Sequence, residues 1–329
     1  MRIDCMTRRL AGLGGALLLS GLVSGASFAQ SFPSKPLRVL VPYAAGGGVD
    51  IVARAVSHKL QELIGQPVIV DNRSGGNEII ASEIAARAAP DGHTLLFASS
   101  TIAINVSLAT KLPYDTERDF APVAKLVDVP FAMFAVPVVA ATSLRELAAL
   151  AKAQPGKLNY GHLGTSSPHY LMMEAFKRQA GVDIAAIPYK GVAPVIAGMF
   201  GGEIQLTIAG IGTAMPHLKA GKLKLLAVTS DKRIGSLPDY PTAVEAGFSD
   251  VATSVWYGAF TAAATPSDIV TRLNAALRKS LSDPDVIQRL GALGFETAST
   301  TTDEFSRVLR ADIAAWTKIV KATGATMAQ

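Results

Sequence analysis

The 329-residue chain contains one cysteine, Cys5, and that cysteine sits in an N-terminal stretch set apart from the rest. Arg2, Arg8 and Arg9 form a basic start, Leu10 to Val23 is apolar, and Ser27-Phe28-Ala29 closes the run with small residues. This layout is that of a secretory signal peptide cleaved after Ala29, and its apolar core is short for a membrane span. Thr7-Arg8-Arg9-Leu10 leaves a twin-arginine route open beside general secretion. Without residues 1–29 no cysteine remains, which excludes disulfides and thiol chemistry. Histidine is also scarce. The five, at positions 58, 93, 162, 169 and 217, show no metal-ligand spacing, so neither a metal nor another cofactor is expected. Charged residues make up 17% of the chain and form no long run of one sign. The leader carries three arginines against Asp4, a net +2, so the remainder is near +3 of the total +5. Nothing in that balance suggests nucleic acid.

What is present is an ordered, apolar-rich chain, 49% hydrophobic, long enough for two domains. Short β-rich runs alternate with helical patterns, which predicts an α/β protein with largely parallel sheets. Leu37 to Val41 reads as a strand, and apolar residues at 51, 52, 55, 56, 60, 63 and 64 then mark one helix face. Val68 to Val70 is the next strand, followed by the turn Asn72-Arg-Ser-Gly-Gly-Asn77, a helix to Ala89 and the strand Thr94 to Ala98. The same grammar recurs later. Leu158-Asn-Tyr160 leads into Gly161-His-Leu-Gly-Thr-Ser-Ser167, with Ser167 placed to cap a helix that opens on Pro168. Ile184 to Pro188, Ile204 to Ile208 and Leu223 to Thr229 read as strands, and Ile269 to Leu281 and Thr302 to Val320 as closing helices.

The turn Val41-Pro-Tyr-Ala-Ala-Gly-Gly-Gly-Val-Asp50 carries the first chemical signal. Consecutive glycines leave backbone amides unshielded, and a helix starting just after them adds the positive end of its dipole. Such a turn holds an anion without any cationic side chain. Its spacing rejects nucleotides. A dinucleotide fingerprint from Gly46 would need glycine where Ile51 stands, and a P-loop would need Gly-Lys-Ser/Thr where Val49-Asp50 stands. A tight strand-to-helix turn with Asp50 as a cap is the bland alternative. The second turn, Gly164 to Pro168, offers amides and hydroxyls at another helix start in the other half of the chain. Two helix starts facing across a cleft would suit a ligand with two carboxylates, or with one carboxylate and a polar end. Ser167 beside His169 raises a hydrolase reading, but no G-x-S-x-G elbow precedes a helix here.

The ordered blocks resemble one family closely. Phe32-Pro-Ser-Lys-Pro36, Pro42 to Gly48 with Asp50, Asn72-Arg73, Ala89-Pro-Asp-Gly92, Leu112-Pro-Tyr-Asp115 and Arg118-Asp-Phe120 cover the first part. Pro155 to Tyr160, Pro188-Tyr-Lys-Gly191, Pro216 to Lys222, Trp256-Tyr-Gly258 and Ala264-Thr-Pro266 cover the rest. Together they resemble the solute receptors of tripartite tricarboxylate transporters, the Bug family of extracytoplasmic binding proteins. The resemblance implies a periplasmic, non-enzymatic and monomeric receptor with the type II periplasmic binding protein fold, whose cleft lies between two α/β domains. These are expected at 31–131 plus 254–329 and at 132–253. It implies a small carboxylate ligand, whether di- or tricarboxylate or aromatic acid, passed to the large and small membrane permease subunits. A sensor partner for a membrane kinase, or a periplasmic hydrolase or isomerase, is the alternative.

The resemblance also implies which residues touch the ligand. Tyr43, Ala45, Gly46, Gly47, Gly48 and Val49 would hold one end, with Asp50 beside them, and Gly164, Thr165, Ser166 and Ser167 the other. Ser99, Ser100, Tyr189 and Lys190 would line the cleft, His169 stands next to the second loop, and Ala209 and Gly210 close the set. Trp256 and Tyr257 would either cover the pocket or pack near the hinge. Three positions depart from the family: Val49 replaces a common threonine, Tyr170 a common histidine, and Ala209-Gly210 an acidic-polar pair. With no acid at the last position, a plain carboxylate is expected over an amino acid.

Overall fold

A computed structural model of the chain describes residues 32–109, 111–235, 237–253 and 255–326. The expected signal peptide lies outside them. The chain runs β1 (Leu37–Val41), α1 (Gly48–Ile64), β2 (Val68–Asn72), α2 (Ile79–Ala86), β3 (Thr94–Ser99), α3 (Thr101–Leu108) and β4 (Phe120–Asp128). It continues through β5 (Phe131–Ala135), α4 (Leu144–Ala153), β6 (Asn159–His162), α5 (Pro168–Ala180), β7 (Ala185–Pro188), α6 (Val192–Phe200), β8 (Leu206–Gly210), α7 (Ile211–Lys219) and β9 (Lys224–Val228). It closes with β10 (Trp256–Ala262), α8 (Ser267–Leu281), α9 (Pro284–Gly291), β11 (Glu296–Thr297) and α10 (Thr302–Thr323).

Local chemistry sets the helix limits. α1 buries Val49, Val52, Ala53, Val56 and Leu60, one face at 3–4 spacing, and stops at Gly65, whose left-handed conformation (φ +69°) returns its amide to the Gln61 carbonyl. α5 opens on Pro168 under a Ser167 cap and ends at Gly181 (φ +64°). α10 starts with a reciprocal capping box between Thr301 and Glu304.

The strands form two sheets, ordered β11-β4-β10-β3-β1-β2 and β7-β6-β8-β5-β9. Each is built on the same plan. A βαβαβ unit (β1, β2, β3 or β6, β7, β8) puts its first strand inside, and one strand from elsewhere in the chain inserts next to its third. The inserted strands are β10 in the first sheet and β5 in the second. Both run antiparallel to their neighbours, so the sheets are mixed, unlike the largely parallel sheets the sequence predicts. The reason is the two-way crossing: a chain that leaves one sheet along β4–β5 and returns along β10 must enter each sheet from the opposite end. The two crossing segments lie side by side, tied by Val129 N–H to the Val255 carbonyl at 2.7 Å. Phe131, placed at the end of the first expected domain, already pairs with Gly210 in the second sheet.

α10 reinforces the connection. It packs on α3 and β4 and also against α5. Its Phe305 sits edge-on to Trp256 at 5.1 Å between ring centres. Gly258 of β10 makes room for that ring, because a Cβ there would overlap Phe305. A Gly258→Ala substitution is expected to destabilise the fold by about 1–3 kcal/mol through overpacking, read as a lower urea midpoint. An unchanged midpoint would mean that the Phe305 ring is not locked in place.

Candidate ligand-binding site

Between the two sheets lies a cavity of about 310 Å³. Its lining follows the carboxyl ends of β1, β3, β6, β7 and β8, where α/β sheets characteristically bind ligands. Five helices begin there. α1 contributes Gly47, Gly48 and Val49, α3 contributes Thr101, α5 contributes Ser167, Pro168 and His169, α6 contributes Val192, and α7 contributes Gly210, Gly212 and Thr213. Phe131, Leu163, Val129, Val255, Leu293 and Phe295 make the remaining wall apolar, and among the described residues no Lys, Arg, Asp or Glu lines it. Negative charge in this space therefore meets helix dipoles and first-turn amides instead of ion pairs.

The first wall is built by the glycine turn. Gly46 takes φ +84°, and its amide donates to Asp50 Oδ2 at 2.9 Å. Gly47 N–H returns to the Ala44 carbonyl, while Gly48 and Val49 amides have no acceptor among the described residues. Gly48 is glycine for a steric reason: a Cβ would lie 2.5 Å from the Tyr257 hydroxyl. Asp50 lies beneath the turn and is buried, accepting also from Arg54 Nε and Asn72 Nδ2, each at 2.9 Å. Burial alone would raise its pKa, but the bonds from Arg54, Gly46 and Asn72 outweigh it and hold the carboxyl below its usual range. Asp50 thus shapes the turn from behind.

Behind this wall stands a group the sequence reading passes over. Glu78 is buried, and its Oε1 accepts from Tyr43 Oη at 2.5 Å, from Ser99 N–H at 3.1 Å and from the Ser99 hydroxyl. Its Oε2 has no partner among the described residues. Desolvation pushes its pKa up to about 7 against the pull of Ser99 and Tyr43. Burial, and then the Glu78 charge, raises the Tyr43 and Tyr257 phenols, so both stay protonated.

The second wall is the start of α5. The Ser167 hydroxyl donates to the Gly164 carbonyl at 2.7 Å and accepts from Tyr170 N–H at 3.3 Å, so capping consumes it. Desolvation pushes His169 down to about 4, and it is neutral at physiological pH.

Of the residues expected at the ligand, the cavity gathers Tyr43, Gly47, Gly48, Val49, Ser99, Ser167, His169 and Gly210. Ala45 and Gly46 are exposed at the loop tip, and Asp50 lies below it. Ser100 is buried, with its amide bonded to the Trp256 carbonyl. Gly164, Thr165 and Ser166 form the outer turn, where Thr165 donates to the Thr326 carbonyl at 2.9 Å. Tyr189 donates to Glu203 at 2.9 Å, Lys190 is exposed, and Ala209 is buried within β8. Trp256 and Tyr257 part company, since neighbours on a strand face opposite sides. Trp256 is in the core, bonded to Asp312, and Tyr257 faces the cavity. Asn77, at the end of the glycine turn 72–77, joins the lining, as do Thr101, Thr213 and the segment Leu293-Gly294-Phe295 with no local motif to announce them, although Gly210 and Gly191 before helices are a weak signal for α7 and α6.

A second cavity, of about 510 Å³, shares Val129, Phe131 and Val255 with the first. Its Lys125 is paired with Asp128 at 2.8 Å and its Arg233 with Glu245 at 3.1 Å. Lys232 also lines it, and it lacks the ring of helix starts.

Comparison with known proteins bears on this arrangement. The profile of the family described as "Tripartite tricarboxylate transporter family receptor" matches residues 52–325. The chain belongs to that family. Protein BugT of Bordetella pertussis is 32% identical over 324 residues, 98% of this chain and 99% of BugT. Two solved structures from Rhodopseudomonas palustris are similar throughout. Rpa4515, solved with adipate, is 33% identical with a TM-score of 0.79, covering 90% of this chain and 99% of its own. MatC, solved with bound malate, is 32% identical with a TM-score of 0.76, covering 88% and 100%. The protein is accordingly a solute-binding receptor of the two-domain periplasmic binding protein fold. Among the described residues, no helix is long and apolar enough to cross a membrane.

The receptor's two walls touch at glycine. A Cβ on Gly212 would overlap the Leu293 carbonyl, and one on Gly294 (φ +78°) would overlap Gly212. Backbone meets backbone here, at the edge of the cavity. Gly212→Val is expected to hold the cleft open, giving a larger radius of gyration in solution scattering than the parent under saturating ligand. Equal radii would show that this contact does not govern closure.

Proposed function

We propose that the protein is a periplasmic receptor that captures a small carboxylate between two domains and delivers it to the permease subunits of a tripartite tricarboxylate-type transporter. The observation that carries this reading is the ring of five helix starts around a cavity that, among the described residues, has no basic side chain. Each amide bond to a carboxylate is worth about 1.5–3 kcal/mol net, and several reach the roughly −8 kcal/mol of micromolar binding. The apolar middle, from Phe131 to Phe295, suits an aliphatic or aromatic spacer. Adipate in Rpa4515 and malate in MatC support the carboxylate class.

The domains are 31–130 plus 254–329 and 131–253, the first boundary moved one residue because Phe131 pairs with Gly210, and they hinge where Val129 meets Val255. Residues 1–29 direct export and are removed. Ligand bridging the two walls favours the closed form by its differential affinity, and that form is what a permease recognises. The Ser167 hydroxyl, committed to Gly164 and Tyr170, and His169, a weak base with its pKa pushed down to about 4, support capture without turnover.

Thermal-shift screening against mono-, di- and tricarboxylates and aromatic acids is the test. At 100-fold over Kd, mass action adds about 2.7 kcal/mol, a midpoint rise of roughly 4 °C. The acid should be recovered unchanged after incubation. No shift with any acid, or conversion of the acid to product, would refute the reading.

A further inference from the structure

Glu78 occupies a conformation its side chain does not favour. Gly75, Gly76, Asn77 and Glu78 take positive φ in succession, at +128°, +55°, +53° and +73°. Only the first two are glycine. Strain of this kind persists where the surroundings enforce it, and it concentrates at functional sites. Here it turns a carboxylate inward, where it is 1% exposed and has no cationic partner. Asn77, just before it, is fixed by Asn105, with Nδ2 to Oδ1 at 2.7 Å and the return bond to the Asn77 carbonyl at 2.8 Å.

The carboxylate sets the hydrogen-bond direction of the wall in front of it. A hydroxyl has one proton. Tyr43 Oη and Ser99 Oγ also lie 3.0 Å apart, but a carboxylate oxygen only accepts, so both protons are directed at Glu78 Oε1, away from the cavity that these two residues line. The Ser99 oxygen is further engaged by Thr101 N–H at 3.1 Å. Tyr43 therefore faces the ligand as an acceptor. The helix starts of both walls present amide donors, and the Tyr43 oxygen is an acceptor set among them. A carboxylate fits against the amides, while one placed on the Tyr43 oxygen would meet a lone pair.

We propose that Glu78, acting through Tyr43 and Ser99, makes this receptor selective for carboxylates bearing a hydrogen-bond-donating substituent, hydroxyl or ammonium, over unsubstituted acids of the same length. Glu78 is a positioning residue in this account, and the inference rests on the carboxylate-receptor reading. An ammonium group would in addition give the buried carboxylate the counter-charge it lacks.

Calorimetric titration of the full receptor with matched acids tests this. The sets are succinate, malate and aspartate, and glutarate, 2-hydroxyglutarate and glutamate. At least one substituted acid of a set is expected to bind about tenfold or more tighter than the plain one. Two variants separate the sources. Glu78→Gln keeps the acceptor but removes the charge, so an ammonium preference collapses to within about threefold while a hydroxyl preference survives. Glu78→Gly suits the positive φ, removes the acceptor that holds the Tyr43 and Ser99 protons, and erases either preference, with the plain acid gaining affinity. Circular dichroism confirms that each variant folds. Equal affinities within each set for the parent, or an unchanged preference in folded Glu78→Gly, would overturn the inference. If no acid binds at all, the receptor reading fails first and takes this inference with it.

Discussion

The convergence of five helix N-termini on one cavity is the constraint from which the rest of the structure follows. Each start leaves amides that its own helix cannot satisfy, and each dipole points its positive end at the same space. Donors so arranged need no lysine or arginine, and among the described residues none lines the cavity. Fixed amides also avoid the entropy of ordering long cationic side chains. Their effect grows as closure excludes water, because the same partial charges then act in a lower dielectric.

Bringing the helix starts together requires two sheets of one design, turned face to face. The order βαβαβ with an inserted antiparallel strand occurs in each, so the carboxyl ends of β1 and β3 meet those of β6 and β8 across the cleft. The two crossings, tied between Val129 and Val255, keep the sheets together while leaving few covalent links to bend. α10 adds a packed contact with α5 at the same junction. At the cavity edge Gly212 and Gly294 bring backbone against backbone, where a Cβ on either would overlap the other segment.

Much of this frame is legible in the chain. Glycines 46 to 48 before an amphipathic run, and Ser167-Pro168 before another, announce helix starts with exposed amides, and both turns contribute to the cavity. What is not legible is which atoms are already engaged. Ser167 and Thr165 look like ligand hydroxyls, yet one caps its own helix and the other bonds to Thr326. Asp50 looks like a site residue and instead braces the turn through Arg54 and Asn72. Leu293 to Phe295 reach the cavity only because the chain returns to the first sheet. Glu78 is the largest omission. An acid directly after Gly-Gly-Asn and before two isoleucines is a faint signal, and only the left-handed backbone shows that it points inward.

A crystal structure of the receptor with its carboxylate bound tests the central claim most directly. The account predicts carboxylate oxygens at about 2.7–3.2 Å from the amide nitrogens of Gly48 and Val49, with no basic side chain in contact. A ligand seated instead in the second cavity, against Lys232 or Arg233, would contradict it.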